Sequence, residues 1–169
     1  ELEIGLVAFK THGDPALVAA HEKLLLDNRT HWLASEILLF WKRVLKRIDL
    51  TSRSLVALAE PGSCFAGPLA EILWAVDRSY MADGAFEGDN RVPATLRLSE
   101  GSFGHYPMSN GLTRLATRFL GTPELVEEAR ASIARPLDAG EASALGLVTY
   151  ALDDIDWEDS VRQFLEERA

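Results

Sequence analysis

The stretch from Ser54 to Asp77 constrains the fold of this chain more than any other. It begins with a continuous apolar run, residues 55–59, which ends at the turn Pro61-Gly62-Ser63; apolar residues at helical spacing then follow Ala66-Gly67-Pro68. A strand-length apolar run, a tight turn and a helix, in that order, are typical of one βα step in a parallel sheet. The start of such a helix gathers unpaired backbone N–H groups, so it favours an oxyanion or a phosphate.

The rest of the chain repeats this alternation of strands and helices. Residues 2–9 predict a buried strand, and Asp14 followed by Pro15 predicts the N-terminus of a helix over 16–26. Helices are also predicted over 30–49, 108–120, 123–134, 139–145 and from Asp156 onward, and strands over 77–82, 94–99 and 147–151. The pattern predicts an α/β fold with parallel neighbouring strands, in a single domain over 1–169 whose C-terminal part, 122–169, is largely helical.

The helix expected over 30–49 has a strongly apolar side. Its apolar residues recur at helical spacing and the charged residues lie opposite, so the apolar row is predicted to face the core. That row consists of Trp32, Leu33, Ile37, Phe40, Trp41, Val44, Leu45 and Ile48. All four tryptophans of the chain are interpreted as packing residues on the same grounds.

Composition excludes several classes of function. The net charge of −9 over 169 residues argues against a nucleic-acid surface, because phosphate binding needs clustered Lys and Arg. Charged side chains interrupt the most apolar segment, residues 32–50, which argues against a membrane span. Cys64 is the only cysteine, so no internal disulfide can form, and a reducing compartment such as the cytoplasm is expected.

Few side chains suggest a metal or a nucleophile. The histidines at 12, 21, 31 and 105 show no ligand spacing with acidic residues or with the cysteine, so no metal is predicted. Cys64 lies near the helix start, where a thiolate could be activated, but its apolar neighbours favour a small buried side chain. His105, with Tyr106 beside it and Glu100 nearby, is the one histidine that could take part in a site.

The order of four segments resembles the enoyl-CoA hydratase/isomerase (crotonase) superfamily. The superfamily has a Gly-rich turn, then Glu-Leu-Ala and an Asp six residues after the Glu, which is similar to Glu71–Asp77 here. The other similar segments are residues 9–14, with Gly13 at an oxyanion position, the run from Glu100 through Gly104, Pro107 and Gly111 to Arg114-Leu115, and residues 136–148. The resemblance implies a crotonase-like spiral of ββα units.

The resemblance also implies a set of site residues. Superfamily members hold a thioester oxygen between two backbone N–H groups and often use two glutamates as acid and base. By position, Gly13 would supply the first donor and Pro68 the second, while Glu71 and Glu100 would be the glutamates. Proline has no N–H, so the second donor would have to be Gly67 or Leu69 after a shift of one residue. The alternative is that Glu71 is an ordinary first-turn glutamate, favoured by the helix dipole, and Glu100 a loop carboxylate.

A narrower resemblance is to the C-terminal half of benzoyl-CoA-dihydrodiol lyases. The residues that carry it are 52–71, 103–121 and 146–169. These lyases are long chains with two crotonase-like halves, and they open the ring of a benzoyl-CoA epoxide or dihydrodiol with water and release formate. The resemblance implies an acyl-CoA substrate with no cofactor beyond its coenzyme A, and a homo-oligomer. It also implies a segment that packs against an N-terminal half, because only one strand precedes the loop at 9–14.

Three hypotheses follow from the sequence. In the first, the chain is a structural or pocket-supporting region of such a lyase, whose working motifs lie in the other half. In the second, the chain itself forms an enoyl-CoA hydratase/isomerase-type site with Glu71 and Glu100 as acid and base. In the third, it is a non-catalytic module that drives oligomerisation through apolar helix faces.

Overall fold

A parallel four-stranded sheet is the centre of the molecule. The computed structural model describes residues 4–133 and 135–168. The strands are β1 (Leu6–Phe9), β2 (Ser54–Ala59), β4 (Arg78–Ala82) and β7 (Tyr150–Leu152), in the order β1-β2-β4-β7 and parallel throughout. All of β2 except its first residue is buried, as the apolar run predicts. The α/β fold with parallel neighbours is therefore confirmed.

A small second sheet supports the turn that follows β2. It consists of β3 (Phe65–Ala66), β5 (Leu96–Arg97) and β6 (Pro136–Leu137), with β3 parallel and β6 antiparallel to β5. The predicted strand over 94–99 is thus only two residues long. The strand expected over 2–9 is seen as β1, and residues 2 and 3 lie outside the described residues.

Seven α-helices surround the sheets in the described part of the chain. They are α1 (Pro15–Asp27), α2 (Trp32–Asp49), α3 (Glu71–Ala75), α4 (Arg114–Arg118), α5 (Glu124–Arg130), α6 (Ala139–Ala144) and α7 (Asp154–Arg168). Asp14 caps α1 as predicted, since its carboxylate accepts from the Ala16 amide at 2.7 Å. None of the described helices combines the length and apolar character needed to cross a bilayer.

The helix predicted over 108–120 is much shorter than expected. Its regular part is α4 alone, because Gly111 has φ +87° and the Met108 amide donates to the Leu112 carbonyl in a turn. Thr113 then caps α4 by accepting from the Ala116 amide at 3.0 Å. The glycine and the threonine cap therefore overrule the helical spacing of the preceding residues.

The face assigned to α2 is partly wrong. Trp32, Leu33 and Phe40 are exposed instead of buried. The residues of α2 that are buried are Ala34, Leu38 and Leu45, with Ile37, Trp41 and Ile48 packed against the core. Apolar residues cover most of the circumference of α2, so spacing alone did not fix which row faces the sheet.

Candidate functional site

The bend between β3 and α3 is closed by a carboxyl group from α1. Gly67 begins a 3₁₀ turn over Gly67–Leu69 and has φ +51°, a conformation that glycine adopts without strain. A Cβ atom on Gly67 would lie 3.2 Å from the carboxyl carbon and from Oε2 of Glu22. The Glu22 carboxyl group therefore packs directly against Gly67 of the bend.

The two expected oxyanion donors do not form a pair of free N–H groups. The Gly13 amide donates to the Gly62 carbonyl at 3.2 Å, so its N–H already has a backbone partner. Pro68 is buried and has no N–H to donate. The structure thus places Pro68 at the bend and Gly13 beside Gly62 and Cys64, and neither presents a free donor.

Glu71 is held in an ionic network inside the protein. Its side chain is 1% exposed, and Oε2 accepts from Arg114 Nη1 at 3.0 Å. The same guanidinium donates to both carboxylate oxygens of Asp49, through Nε at 2.9 Å and Nη2 at 2.7 Å, and Nη1 also donates to the Tyr106 carbonyl at 2.9 Å. Arg114 therefore joins the end of α2 to the first turn of α3 and to the segment before α4.

Burial dominates the ionisation of Glu71. It raises the pKa of Glu71 to about 8, although the Arg114 guanidinium acts in the opposite direction. The nearby Glu22 carboxyl group adds to the rise. With a pKa near 8, Glu71 is mostly protonated at pH 7, and its Oε1 atom is buried with no hydrogen-bond partner.

Glu22 is the second buried carboxyl group of this region. Its side chain is 1% exposed, and burial raises its pKa. The hydroxyl groups of Ser99 and Tyr106 lie beside it and partly offset the rise, although neither completes a hydrogen bond with it in this structure. Burial raises the pKa of the Tyr106 hydroxyl as well. Two acidic side chains and a phenol thus lie together in one buried region.

Glu100 has a different environment from Glu71. Its side chain is 70% exposed, and its nearest cation is Arg130, with Nη1 3.9 Å from Oε2. Glu100 lines a cleft of about 570 Å³ between α1 and the Leu98–Glu100 segment, and Glu71 does not line it. The predicted acid–base pair is therefore divided between the interior and the surface.

The cleft beside Glu100 has mainly apolar walls. Its lining includes Ala19, Glu22, Leu26, Leu98, His105 and Ile133. The pKa of His105 is lowered by burial and by the positive charges of Arg29 and Lys42. Tyr106, its neighbour in sequence, points away into the core, where it is 1% exposed.

Sequence reasoning missed Glu22 and Asp49 and gave Arg114 no role of its own. A signal for Glu22 existed, since it lies four residues after Val18 and three before Leu25, in the inward row of α1. An acid in an apolar row indicates a buried, partnered carboxyl group. For Asp49 no comparable signal existed, because its partner is 65 residues away in sequence.

Gly101 offers a direct test of how tightly this region is packed. A Cβ atom there would lie 2.7 Å from the Tyr106 ring and 3.0 Å from the Glu22 carboxyl carbon. We expect Gly101→Ala to lower the free energy of unfolding by about 1 to 3 kcal/mol through overpacking, measured by urea denaturation. Gly121→Ala is the control, since no atom of the described residues lies within 4 Å of a Cβ there, and it should change stability by less than about 0.5 kcal/mol. Equal effects of the two substitutions would contradict the packing described here.

Comparison with solved structures identifies the fold. The chain superposes on an enoyl-CoA hydratase from Mycobacterium avium subsp. paratuberculosis with a TM-score of 0.55 and 17% identity. The superposition covers 99% of this chain and 75% of the hydratase. An enoyl-CoA hydratase from Bacillus anthracis gives a TM-score of 0.53 and 18% identity, over 84% of this chain and 51% of the other. The chain has the crotonase fold, as the sequence resemblance predicts.

Comparison with curated proteins gives a more particular likeness. The chain is 45% identical to the benzoyl-CoA-dihydrodiol lyase of Aromatoleum evansii over 168 residues, which is 99% of this chain. It spans 29% of the length of that lyase. No protein-family model matches the chain. The predicted resemblance to these lyases is therefore confirmed.

Proposed function

We propose that the chain is a supporting, non-catalytic region of a lyase that opens the ring of a benzoyl-CoA epoxide or dihydrodiol with water. The observation that carries the link to the lyase is the 45% identity over 99% of the chain. In the same proposal, the segment packs against another part of a longer polypeptide and assembles with further copies. The proposal also includes a cytoplasmic location, and the free, buried thiol of Cys64 supports a reducing compartment.

The closed bend supports a non-catalytic role. Stabilising an enolate oxygen requires donors aimed at the position where negative charge develops. The Gly13 amide is already bonded to the Gly62 carbonyl, Pro68 has no N–H, and the Glu22 carboxyl group lies against Gly67. The two donors that the resemblance assigns are therefore not available to an anionic intermediate. The chemistry of the lyase would therefore take place elsewhere in the longer polypeptide.

The fixed position of Glu71 supports the same role. A general base must reach the proton it removes, directly or through one water molecule. Glu71 is 1% exposed and bonded to Arg114, so neither substrate nor solvent reaches it without rearrangement of the ionic network. Its role in this proposal is to tie α3 to α4 and α2.

Glutamine substitutions test the role of the two glutamates. In the longer lyase that contains this segment, we expect Glu71→Gln and Glu100→Gln each to leave kcat within about threefold of the unsubstituted enzyme. Loss of a true acid or base typically lowers the rate by about two to four orders of magnitude. Turnover assays of benzoyl-CoA dihydrodiol cleavage measure the difference, with the exposed Glu128→Gln on α5 as the matched control. A hundredfold loss in either variant, with no loss of thermal stability, would assign catalysis to this segment.

Isothermal titration calorimetry on the 169-residue chain is a second test of the proposed non-catalytic role. Titration with benzoyl-CoA should release no saturable heat, because the Gly13 amide is already bonded to Gly62 and Pro68 has no N–H to offer the thioester oxygen. Saturable binding of benzoyl-CoA would support the second hypothesis, in which the chain forms its own thioester site.

A further inference from the structure

One face of α2 carries large side chains that the chain itself leaves uncovered. Trp32 is 70% exposed, Phe40 59%, and Leu50, directly after the helix, 73%. At 3.6 residues per turn, these residues share one side of the helix with further exposed positions. The complete row, here called the α2 outer face, is Trp32, Glu36, Leu39, Phe40, Arg43, Arg47 and Leu50.

The composition of the α2 outer face is that of an interface. Single exposed apolar residues are normal on a protein surface, but contiguous patches mark contact sites. Tryptophan, phenylalanine and arginine are the residue types enriched in interfaces and in their energetic centres. The opposite side of α2 is already used, since Ala34, Leu38 and Leu45 are buried in the core.

The charges of the α2 outer face are separated along the helix. Glu36 lies before the central pair Leu39 and Phe40, whereas Arg43 and Arg47 lie after it. In the described part of the chain, Glu36 is in no ion pair, and the Arg43 guanidinium lies 5.9 Å from the centre of the Phe40 ring. Such a face is complementary to itself when a second helix runs antiparallel.

An antiparallel copy centred between residues 39 and 40 brings matching groups together. Residues at equal distances from that centre then lie opposite each other, because a two-fold axis relates the helices. Glu36 faces Arg43 of the second copy, and Trp32 faces Arg47, a suitable cation–π pair. Leu39 and Phe40 meet each other at the apolar centre. Symmetry produces every one of these contacts twice.

We propose that the α2 outer face binds a second copy of this chain, antiparallel across a two-fold axis at Leu39 and Phe40. This inference rests on the assembly of copies in the proposed function and names the face that mediates it. The face contains no residue of the bend or of the cleft, so its failure would leave the proposed non-catalytic role untouched. A different protein, or another part of a longer polypeptide, would have no need of a self-complementary charge pattern. A second copy does, because one surface must supply both halves of each pair.

The size of the face sets the expected affinity. The 18 residues of α2 span about 27 Å. One helix pair buries less than the roughly 1,600 Å² of a standard interface. We therefore expect a dimer with a dissociation constant in the micromolar range, observable by sedimentation velocity over a concentration series.

A charge swap tests the proposed register. Glu36→Arg places two positive side chains opposite each other, at position 36 of one copy and Arg43 of the other. Arg43→Glu places two negative side chains there instead, and symmetry repeats each clash. Each single variant should weaken dimerisation at least about tenfold, and the double variant should restore it to within about threefold, because the pair is then reversed but intact. All substituted side chains are exposed, so the variants should fold. Failure of the double variant to restore the dimer would overturn the proposed register.

Two further variants test the location of the interface. Phe40→Glu should give a monomer at every concentration, whereas Leu120→Glu, at a still more exposed apolar residue after α4, should leave the dimer unchanged. Leu39→Cys should form a disulfide-linked dimer on mild oxidation, and Leu120→Cys should not; the native Cys64 is buried. A monomeric unsubstituted chain, or a dimer that survives Phe40→Glu, would overturn the proposal.

Discussion

Replacing Arg114 with methionine is expected to lower the free energy of unfolding by about 3 to 5 kcal/mol, the largest effect of any single substitution considered for this chain. The Arg114 side chain is fully buried and is the cation that faces both Asp49 and Glu71. Without it, Asp49 loses two charge-assisted hydrogen bonds in a site that is 4% exposed. Urea denaturation at fixed pH measures the change.

A triple substitution separates the two causes of this loss. Replacing Asp49, Glu71 and Arg114 together by leucine, leucine and methionine removes the ionic network without leaving a charge behind. Such replacements are often neutral or stabilising by about 1 to 4 kcal/mol. We expect the triple variant to be much more stable than Arg114→Met alone. Arg162→Met is the control, since its ion pair with Asp159 is exposed and should contribute less than about 1 kcal/mol. A triple variant as unstable as the single one would show that Arg114 acts through packing.

The fold could be predicted because its signals are local. The apolar run of β2, the Pro-Gly turn after it and the Asp14 cap of α1 each specify structure within a few residues. Errors arose where local signals conflict. Gly111 interrupts a helical pattern, and α2 is apolar over most of its surface, so its inward row depends on contacts made by the folded sheet.

The candidate site could be predicted only in position. Glu71, Gly67 and Pro68 lie together at the bend because they are neighbours in sequence. What Glu71 does there depends on Arg114, 43 residues away, and the state of the bend depends on Glu22 from α1. Motif spacing contains no information about such partners. The motif therefore looks catalytic in sequence, while the structure shows a buried carboxyl group hydrogen-bonded to Arg114.

The stability of this protein should fall as the pH rises from 5 to 8. Burial raises the folded-state pKa of Glu71 to about 8 from a usual value of 4.5, so between these values the folded state binds a proton that the unfolded state has lost. Stability therefore decreases with pH in this window and levels off above pH 8. The decrease over pH 5 to 8 should be roughly 3 kcal/mol, and Glu22, whose pKa burial also raises, adds to it in the same direction.

The Glu71→Gln variant isolates the contribution of Glu71. Glutamine has nearly the same shape and does not titrate, so the free energy of unfolding of this variant should depend on pH only through the remaining groups, chiefly Glu22. The groups that face Glu71 are Arg114, Ser102 and Glu22. Of these only Glu22 is a second acid, because an arginine side chain stays protonated and a serine hydroxyl does not ionise. Urea denaturation of both proteins at pH 5, 6, 7 and 8 gives the two curves. Their difference should grow steadily with pH in favour of the variant. Parallel curves would mean that Arg114 keeps Glu71 ionised over the whole pH range. The buried network would then be a salt bridge among Asp49, Glu71 and Arg114, and not a protonated Glu71 beside an Asp49–Arg114 ion pair.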